Sequence, residues 1–184
     1  MGTENLVYQI KVTLRGIRPS IWRRFIVPKN ISLHKFHIIL QVVMGWSNSH
    51  LYQFRVGNIY YGIPDDEWGM EIKSDKSIKL EDILMESKDR IIYEYDFGDS
   101  WEHDVVLEKI LPKDNGIKYP YVVKGKGACP PEDVGGVWGY YGFLEAISDP
   151  EHPEHAEMVE WHGDKFDPEE FDVEEANAYF HQRR

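Results

Sequence analysis

Alternating apolar and polar side chains open the chain. In LVYQIKVTLR, residues 6 to 15, every second side chain from Leu6 to Leu14 is apolar. A period of two over this length predicts a strand with one buried face. The segment GIRPS then predicts a turn, with Pro19 as its strongest turn residue, and IWRRFIV at 21–27 predicts a second strand hairpinned to the first.

A period of three to four residues replaces this alternation after residue 32. Ser32 is a favourable N-cap, apolar side chains recur at helical spacing from Leu33 onward, and Gly45 is a typical helix end. The sequence therefore predicts a helix over 33–45. The elements predicted further along are, in order, a hairpin turned at Gly57-Asn58, an irregular polar segment at 64–79, one or two helical turns at 80–85, a hairpin of 91–97 and 100–111, a strand at 119–125, a Gly- and Pro-rich loop at 125–136, and helices at 137–147, 153–163 and 173–183.

Strands first and helices last is an order that predicts an α+β protein rather than alternating β–α–β units. We expect a mixed, mostly antiparallel sheet built from hairpins, packed by one helix of the N-terminal half and several C-terminal helices. The opening strand–strand–helix–strand order loosely resembles the start of a ubiquitin-like grasp. The length of 184 residues predicts a single domain over 1–184, with 137–184 as its acidic helical extension.

Cysteine content and apolar run length bear on the compartment. The chain has one cysteine, Cys129, so it forms no intrachain disulfide and a reducing compartment is expected. No apolar run approaches the roughly 20 residues of a membrane span, and the N-terminus lacks the basic and apolar regions of a signal peptide. We therefore expect a cytoplasmic protein that does not associate with membranes.

The charge of the chain is divided between its two ends. Residues 1–55 contain eight Lys and Arg and one acidic residue, whereas the formal net charge of the whole chain is −11. This asymmetry is found in proteins with a nucleic-acid- or membrane-binding face, and also where two parts pack together and neutralise each other. An acidic protein repels phosphate at long range, which disfavours nucleic acid as the partner.

Acidic side chains and a histidine are concentrated in one predicted hairpin, YEYDFGDSWEHDVVLEKI at 93–110. A two-residue turn at 98–99 pairs Glu94 with His103 and places Asp96 diagonally beside them. Two carboxylates and an imidazole on one patch can bind a divalent metal ion or serve as an acid–base pair. A turn one residue longer would separate them, and a solvent-facing strand with an ordinary salt bridge is the alternative interpretation.

A second group of candidate residues lies in the segment CPPEDVGG, which begins at Cys129. Two consecutive prolines restrict the backbone, so that Cys129, Glu132 and Asp133 are held at defined positions. A nucleophilic thiol needs a nearby histidine to lower its pKa, and His50 and His103 are the candidates. The alternative is that the cysteine is a small buried apolar residue.

Five ordered motifs resemble a known family. They are YQIKVTLRGIRPSIWRRFIVP, GWSNSHLYQF, YDFGDSWEH, CPPEDVGG and FDPEEFDVEEAN. Together they resemble the plasmid pRiA ORF-three-like family, whose members are also labelled passenger proteins of insertion elements. The resemblance implies a single α+β domain without an established activity. The family's motif positions correspond here to Trp22, Arg23, Trp46, His50, Asp96, Gly98, Asp99, Trp101, His103, Cys129, Pro130, Pro131, Glu132, Asp133, Gly135 and Gly136.

The sequence leaves three functions open, and with them the question whether the protein is an enzyme. The first is a non-enzymatic binding module for a protein or peptide partner, with the acidic helical C-terminal third as a docking surface. The second is a metal-dependent hydrolase, acting for example on phosphodiesters, with a divalent metal ion as cofactor. The third is nucleic-acid binding through the basic N-terminal strands, which carry Arg15, Arg18, Arg23 and Arg24.

The candidate site residues form three overlapping groups. The candidate catalytic residues are His103, Asp96, Asp99 and Cys129. The candidate metal ligands are Glu94, Asp96 and His103. The candidate ligand-binding residues are His50, Trp101, Glu132, Asp133 and Arg23.

Overall fold

The computed structural model describes residues 5–64, 71–163 and 165–182. Its strands are β1 (Leu6–Leu14), β2 (Trp22–Pro28), β3 (Tyr52–Val56), β4 (Ile59–Gly62), β5 (Ile72–Ser74), β6 (Arg90–Tyr95), β7 (Trp101–Pro112) and β8 (Tyr121–Lys126). Its helices are α1 (Leu33–Met44), α2 (Gly136–Ser148), α3 (His155–His162) and α4 (Val173–Gln182), with a 3₁₀ turn at Leu80–Asp82.

The eight strands of the described residues form one sheet in the order β5-β4-β3-β6-β7-β1-β2-β8. Every neighbouring pair is antiparallel except β4 and β5, which are parallel. This confirms the predicted α+β class with its mixed, mostly antiparallel sheet. The irregular segment predicted at 64–79 was wrong for 72–74, which form β5. A three-residue strand is too short to show a period of two in its sequence.

The hydrophobic core lies between α1 and one face of the sheet. Phe36 of α1 packs against Phe25 of β2 and Phe54 of β3, with ring centroids 6.1 and 5.9 Å apart. The predicted helix is confirmed: the Ser32 hydroxyl accepts a hydrogen bond from the backbone N–H of Lys35. Gly45 ends the helix at a φ of 111°, in the left-handed region that favours glycine.

The three predicted C-terminal helices are confirmed as α2, α3 and α4. The side chain of Asn177 in α4 binds both backbone groups of Val122 in β8, accepting from its N–H at 2.8 Å and donating to its carbonyl at 2.9 Å. This pair ties the last helix to the edge strand. No helix among the described residues combines the length and apolar character needed to cross a bilayer.

Basic side chains of the first strands pair with acids of β7. Arg15 lies 2.9 Å from Glu102 and 2.7 Å from Asp104. Arg24 lies 2.6 Å from Glu108. These contacts support the interpretation in which the basic beginning of the chain and its acidic remainder neutralise each other.

The turn between β6 and β7 has five residues, 96–100, so the predicted two-residue turn was wrong. Tyr93 is paired with His103, and Glu94 with Glu102. Because a shift of one residue moves a side chain to the other face of a sheet, Glu94 and His103 lie on opposite faces. The predicted Glu94–His103 pair is therefore wrong.

Local turn conformation accounts for the longer turn. Asp96 and Ser100 have φ angles of 57° and 54°, in the left-handed region. The Asp96 side chain accepts a hydrogen bond from the N–H of Gly98, as aspartate does in tight turns. Tyr93, Tyr95, Trp101 and His103 are all buried on the core face, which fixes the register from the other side.

Candidate metal centre

Three separate segments of the chain meet at one edge of the fold. Residues 46–51 follow α1, residues 96–100 form the turn between β6 and β7, and residues 129–136 lead into α2. Each contributes a metal-binding type of side chain, namely His50, Asp96 and Asp133. One ligand atom from each lies within 4.8 Å of the other two.

The Nε2 atom of His50 is the centre of this cluster. It lies 2.9 Å from Oδ1 of Asp133, 3.5 Å from Oδ2 of Asp96 and 3.9 Å from Oε2 of Glu132. Two ligands bound to one zinc ion at about 2.0–2.2 Å are separated by roughly 3.0–3.5 Å. The spacing of these atoms is therefore close to that of ligands around a single ion.

His50 Nε2 is shielded from solvent and has no hydrogen-bond partner among the described residues. The Asp133 oxygen is near enough for a hydrogen bond but lies off the direction in which the ring N–H would point. A buried nitrogen without an aligned acceptor is rare in proteins. An imidazole lone pair directed at a metal ion would account for this geometry.

Glu132 is held by one oxygen and presents the other to His50. Its Oε1 atom accepts hydrogen bonds from the N–H of Ser47 at 2.8 Å and from the hydroxyls of Ser47 and Tyr95, both at 3.1 Å. Its Oε2 atom faces His50 and is also 3.3 Å from the Tyr95 hydroxyl, which is shared between the two carboxylate oxygens. Metal-binding carboxylates are commonly fixed in this way by a second layer of hydrogen bonds.

Asp96 has the same division of its two oxygens. Oδ1 accepts from the N–H groups of Gly98 at 3.0 Å and Asp99 at 3.4 Å, whereas Oδ2 faces His50. The Asp96 side chain is only 9% exposed. Its free oxygen is therefore aimed into the cluster rather than into solvent.

Asp133 differs from these two carboxylates because its side chain is 70% exposed. Its backbone adopts a φ of 58°, which aspartate tolerates better than most residues. Nearby, the Asp99 side chain accepts a hydrogen bond of 3.1 Å from the N–H of Gly135 and so joins the turn to the loop. An ion held here would keep one side open to solvent.

The electrostatics of the cluster also suit a cation. Among the described residues, no Lys or Arg forms an ion pair with Asp96, Glu132 or Asp133. Burial, together with the nearby charge of Glu132, raises the pKa of Tyr95 above its usual value. This hydroxyl therefore stays protonated and donates to the carboxylate. Three carboxylates with a single histidine as counter-group leave negative charge that a divalent ion would neutralise.

The chain from residue 6 to residue 175 matches the family model described as plasmid pRiA4b ORF-3-like protein. This chain belongs to that family. The prediction from the sequence motifs is thus confirmed. A relative from Sinorhizobium fredii, described as uncharacterized protein y4hQ, is 42% identical over 177 residues, which cover 96% of this chain and 88% of the relative.

A solved structure has the same fold. It is the crystal structure of a protein of unknown function, MM3350, from Methanosarcina mazei Go1, with a TM-score of 0.84 and 42% sequence identity. The match covers 94% of this chain and 98% of that one. This chain and the protein from Methanosarcina mazei therefore share the fold described above.

The structure brings four of the sequence-predicted residues together, namely His50, Asp96, Glu132 and Asp133. Asp99 lies beside them, where it accepts a hydrogen bond from Gly135, and the remaining candidates lie elsewhere. Glu94 lies on the outer face, where it accepts hydrogen bonds from Gln53 and Ser100. His103 and Trp101 are 0% and 1% exposed in the core. Burial lowers the pKa of His103 to about 4, so the imidazole is neutral at pH 7.

Arg23 is buried and Cys129 is half-buried. Burial raises the pKa of the Cys129 thiol, which removes the thiolate that a nucleophile requires. The Arg23 guanidinium donates to the carbonyls of Val43 and Lys126 and lies 3.8 Å from the ring centre of Phe171. Arg23 is thus engaged at the C-terminal end of α1, where a cation is favoured by the helix dipole.

Sequence reasoning missed Ser47 and Tyr95 as members of the site. The available signal was the motif GWSNSH, in which Ser47 stands three positions before His50. Tyr95 directly precedes Asp96, and its residue type did not indicate a site residue, because an aromatic residue in a strand is usually a core residue. Its role follows from the hydroxyl, which accepts from the N–H of Ser49 at 3.0 Å and donates to Glu132.

Proposed function

We propose that this protein binds a divalent transition-metal ion through His50, Asp96, Glu132 and Asp133. The observation that carries the proposal is the buried, unpartnered Nε2 atom of His50, surrounded by three carboxylate oxygens at 2.9, 3.5 and 3.9 Å. Most hydrogen bonds to these two carboxylates go to Oδ1 of Asp96 and Oε1 of Glu132, so that the oxygens facing His50 are preset for an ion.

The ligand set indicates the class of ion. Calcium and magnesium prefer oxygen ligands throughout, whereas imidazole suits zinc, iron, nickel and copper. One imidazole with three carboxylates is intermediate between these classes and favours Zn²⁺ or Mn²⁺ over Mg²⁺ and Ca²⁺. We therefore expect the order of affinity Zn²⁺ above Mn²⁺ above Mg²⁺.

Isothermal titration calorimetry tests this proposal directly. Protein freed of metal by a chelator is titrated with Zn²⁺, Mn²⁺ and Mg²⁺, alongside the variants His50→Ala and His181→Ala. His181 is an exposed histidine of α4 and serves as the matched control. We expect one site per chain, lost in His50→Ala and kept in His181→Ala. Equal zinc binding by the wild type and His50→Ala would refute the proposal.

A hydrolytic role is compatible with the exposed side of the site. The Asp133 side chain is 70% exposed, and catalytic metal sites retain a position for water or substrate. Three carboxylates around one divalent ion and a neutral imidazole leave net negative charge, which disfavours phosphodiesters and favours uncharged esters. The assay compares p-nitrophenyl acetate with bis(p-nitrophenyl) phosphate at equal Zn²⁺. A site that binds metal yet hydrolyses neither substrate faster than His50→Ala is a binding site.

A second candidate function is the docking of a basic protein partner on the C-terminal helices. The specific observation is that α3 has no buried residue, while Val159 and Trp161 are 45% and 46% exposed. Residues 145–175 contain thirteen acidic side chains and one lysine. Binding of a lysine-rich peptide that weakens from 50 to 500 mM salt and is reduced by Trp161→Ala would support it. Salt-independent binding, or none, would exclude it.

A further inference from the structure

Four residues next to the proposed metal centre form a closed ring of hydrogen bonds. The Gln41 amide nitrogen donates to the Tyr93 hydroxyl at 2.9 Å. The Tyr93 hydroxyl and Nδ1 of His37 lie 2.7 Å apart, as do Nε2 of His37 and Oδ1 of Asn48. The backbone N–H of Asn48 then donates to the Gln41 amide oxygen at 2.8 Å, which closes the ring.

The donors and acceptors of this ring allow only one consistent arrangement. Because the Asn48 Oδ1 atom can only accept, the proton of neutral His37 is on Nε2, where it is donated to Asn48. Nδ1 of His37 therefore accepts the proton of the Tyr93 hydroxyl, whose oxygen accepts from Gln41. Burial lowers the pKa of His37 to about 4, which keeps this neutral form at pH 7. Parallel stacking of the His37 ring on Tyr52, at a centroid distance of 3.3 Å, fixes the orientation of the imidazole.

The ring ends on the segment that carries the metal-binding histidine. Asn48 has a φ of 59°, in the left-handed region, and stands one residue after Ser47 and two residues before His50. His37, Gln41 and Tyr93 are at most 3% exposed and belong to α1 and β6. The ring therefore anchors the backbone beside His50 to the rigid core, through contacts that involve neither Glu132 nor the loop 129–136.

We propose that Asn48 is a positioning residue for the metal centre: the ring it closes with His37, Gln41 and Tyr93 sets the backbone from which His50 reaches the ion. This inference rests on the proposed metal-binding function. Without the ring, the free segment would have to be ordered when the ion binds, and affinity would fall accordingly. Loss of such supporting contacts typically lowers metal affinity by about 10- to 100-fold.

The test compares substitutions at Asn48 that separate the side-chain bond from the backbone conformation. Asn48→Gly keeps the left-handed conformation without strain but removes the acceptor for His37. Asn48→Asp keeps an acceptor at the same place and tolerates the same conformation. Asn58→Gly, in the exposed turn between β3 and β4, is the matched control. Zinc affinity is measured by calorimetry, and folding is monitored without metal by circular dichroism.

We expect Asn48→Gly to weaken zinc binding by about 10- to 100-fold, with Asn48→Asp and Asn58→Gly close to the wild type. A purely structural role would lower the melting temperature without metal and leave the affinity of the folded protein unchanged. Equal affinities of Asn48→Gly and the wild type overturn the inference while the proposed metal function stands. A wild type that binds no zinc overturns both, so the two failures are distinct. If Asn48→Gly is not fully folded at the working temperature, the same comparison is made for all the proteins at a lower temperature.

Discussion

The guanidinium of Arg23 donates a hydrogen bond of 2.7 Å to the carbonyl oxygen of Val43, in the last turn of α1. The same side chain also reaches the carbonyls of Trp22 and Lys126, and no carboxylate of the described residues forms an ion pair with it. Burial lowers its pKa to about 10, so the guanidinium stays charged at pH 7. Arg23 thus binds the end of a helix to the edge of the sheet by its charge and its hydrogen bonds.

Replacement of Arg23 by methionine is therefore predicted to destabilise the fold. The methionine fills part of the volume but leaves three carbonyl groups without their donor, and each such loss costs about 1–3 kcal/mol. We expect the free energy of unfolding to fall by about 3 kcal/mol in urea denaturation. Arg18→Met, at an exposed position, is the control and should change stability by less than about 0.5 kcal/mol. Equal effects of the two substitutions would contradict this account.

Two buried histidines predict how stability depends on pH. Burial lowers the pKa of both His37 and His103 to about 4, whereas an unfolded histidine titrates near 6.5. The unfolded state therefore binds more protons below pH 6.5, and stability is lost as the pH falls from 6.5 towards 4. The two shifts correspond to a loss on the order of 3 kcal/mol each at the acid end.

Urea midpoints measured between pH 7.5 and 5 check this prediction. The wild type should be stable to urea above pH 6.5 and become progressively less so below it. His103→Gln should show a shallower decline because one buried titrating group is gone, although its starting stability is lower. His181→Gln, which alters an exposed histidine, should keep the wild-type slope. A midpoint that does not change between pH 6.5 and 5 would show that neither imidazole is held neutral.

Element types were predictable from the sequence because they depend on local patterns. Ser32, Gly45 and the Gly57-Asn58 turn gave correct boundaries for α1 and for the β3–β4 hairpin. The turn at 96–100 was not predictable in the same way. Its length depends on left-handed conformations at Asp96 and Ser100. Aspartate and serine do not indicate such a conformation in a sequence as glycine does.

The proposed metal centre could be predicted only in part from the sequence, for a related reason. His50, Glu132 and Asp133 lie in motifs that were recognised as candidates, but their convergence requires contacts between residues more than 80 positions apart. His103 attracted attention because it stands beside acids in the sequence. In a strand, however, the neighbours in sequence point to the opposite face, and the burial of His103 shows it to be a core residue.

The corrected register predicts different effects for two neighbouring acids. Asp96→Asn keeps the oxygen that accepts from Gly98 and the left-handed conformation, but replaces the carboxylate that faces His50 by an amide. We expect zinc affinity to fall by about 10-fold or more with little change in stability. Glu94→Gln, on the outer face, should leave zinc affinity unchanged. Calorimetry of both variants tests this prediction. A larger loss of zinc affinity in Glu94→Gln than in Asp96→Asn would contradict it and would favour the site first predicted on the hairpin.

Gly136 provides a test of how the loop 129–136 is held against the turn. It has a φ of 69°, and a Cβ atom there would lie 2.5 Å from the carbonyl oxygen of Asp99. Alanine would have to push the loop away from the turn, so Gly136→Ala should lower the free energy of unfolding by about 2 kcal/mol and also weaken zinc binding.

Gly142→Ala is the matched control, because it lies within α2 and its Cβ would meet nothing within 4 Å. Alanine there should stabilise the helix by up to about 1 kcal/mol and leave zinc affinity unchanged. If Gly136→Ala retained full zinc affinity, the loop would be held by contacts other than its close approach to Asp99.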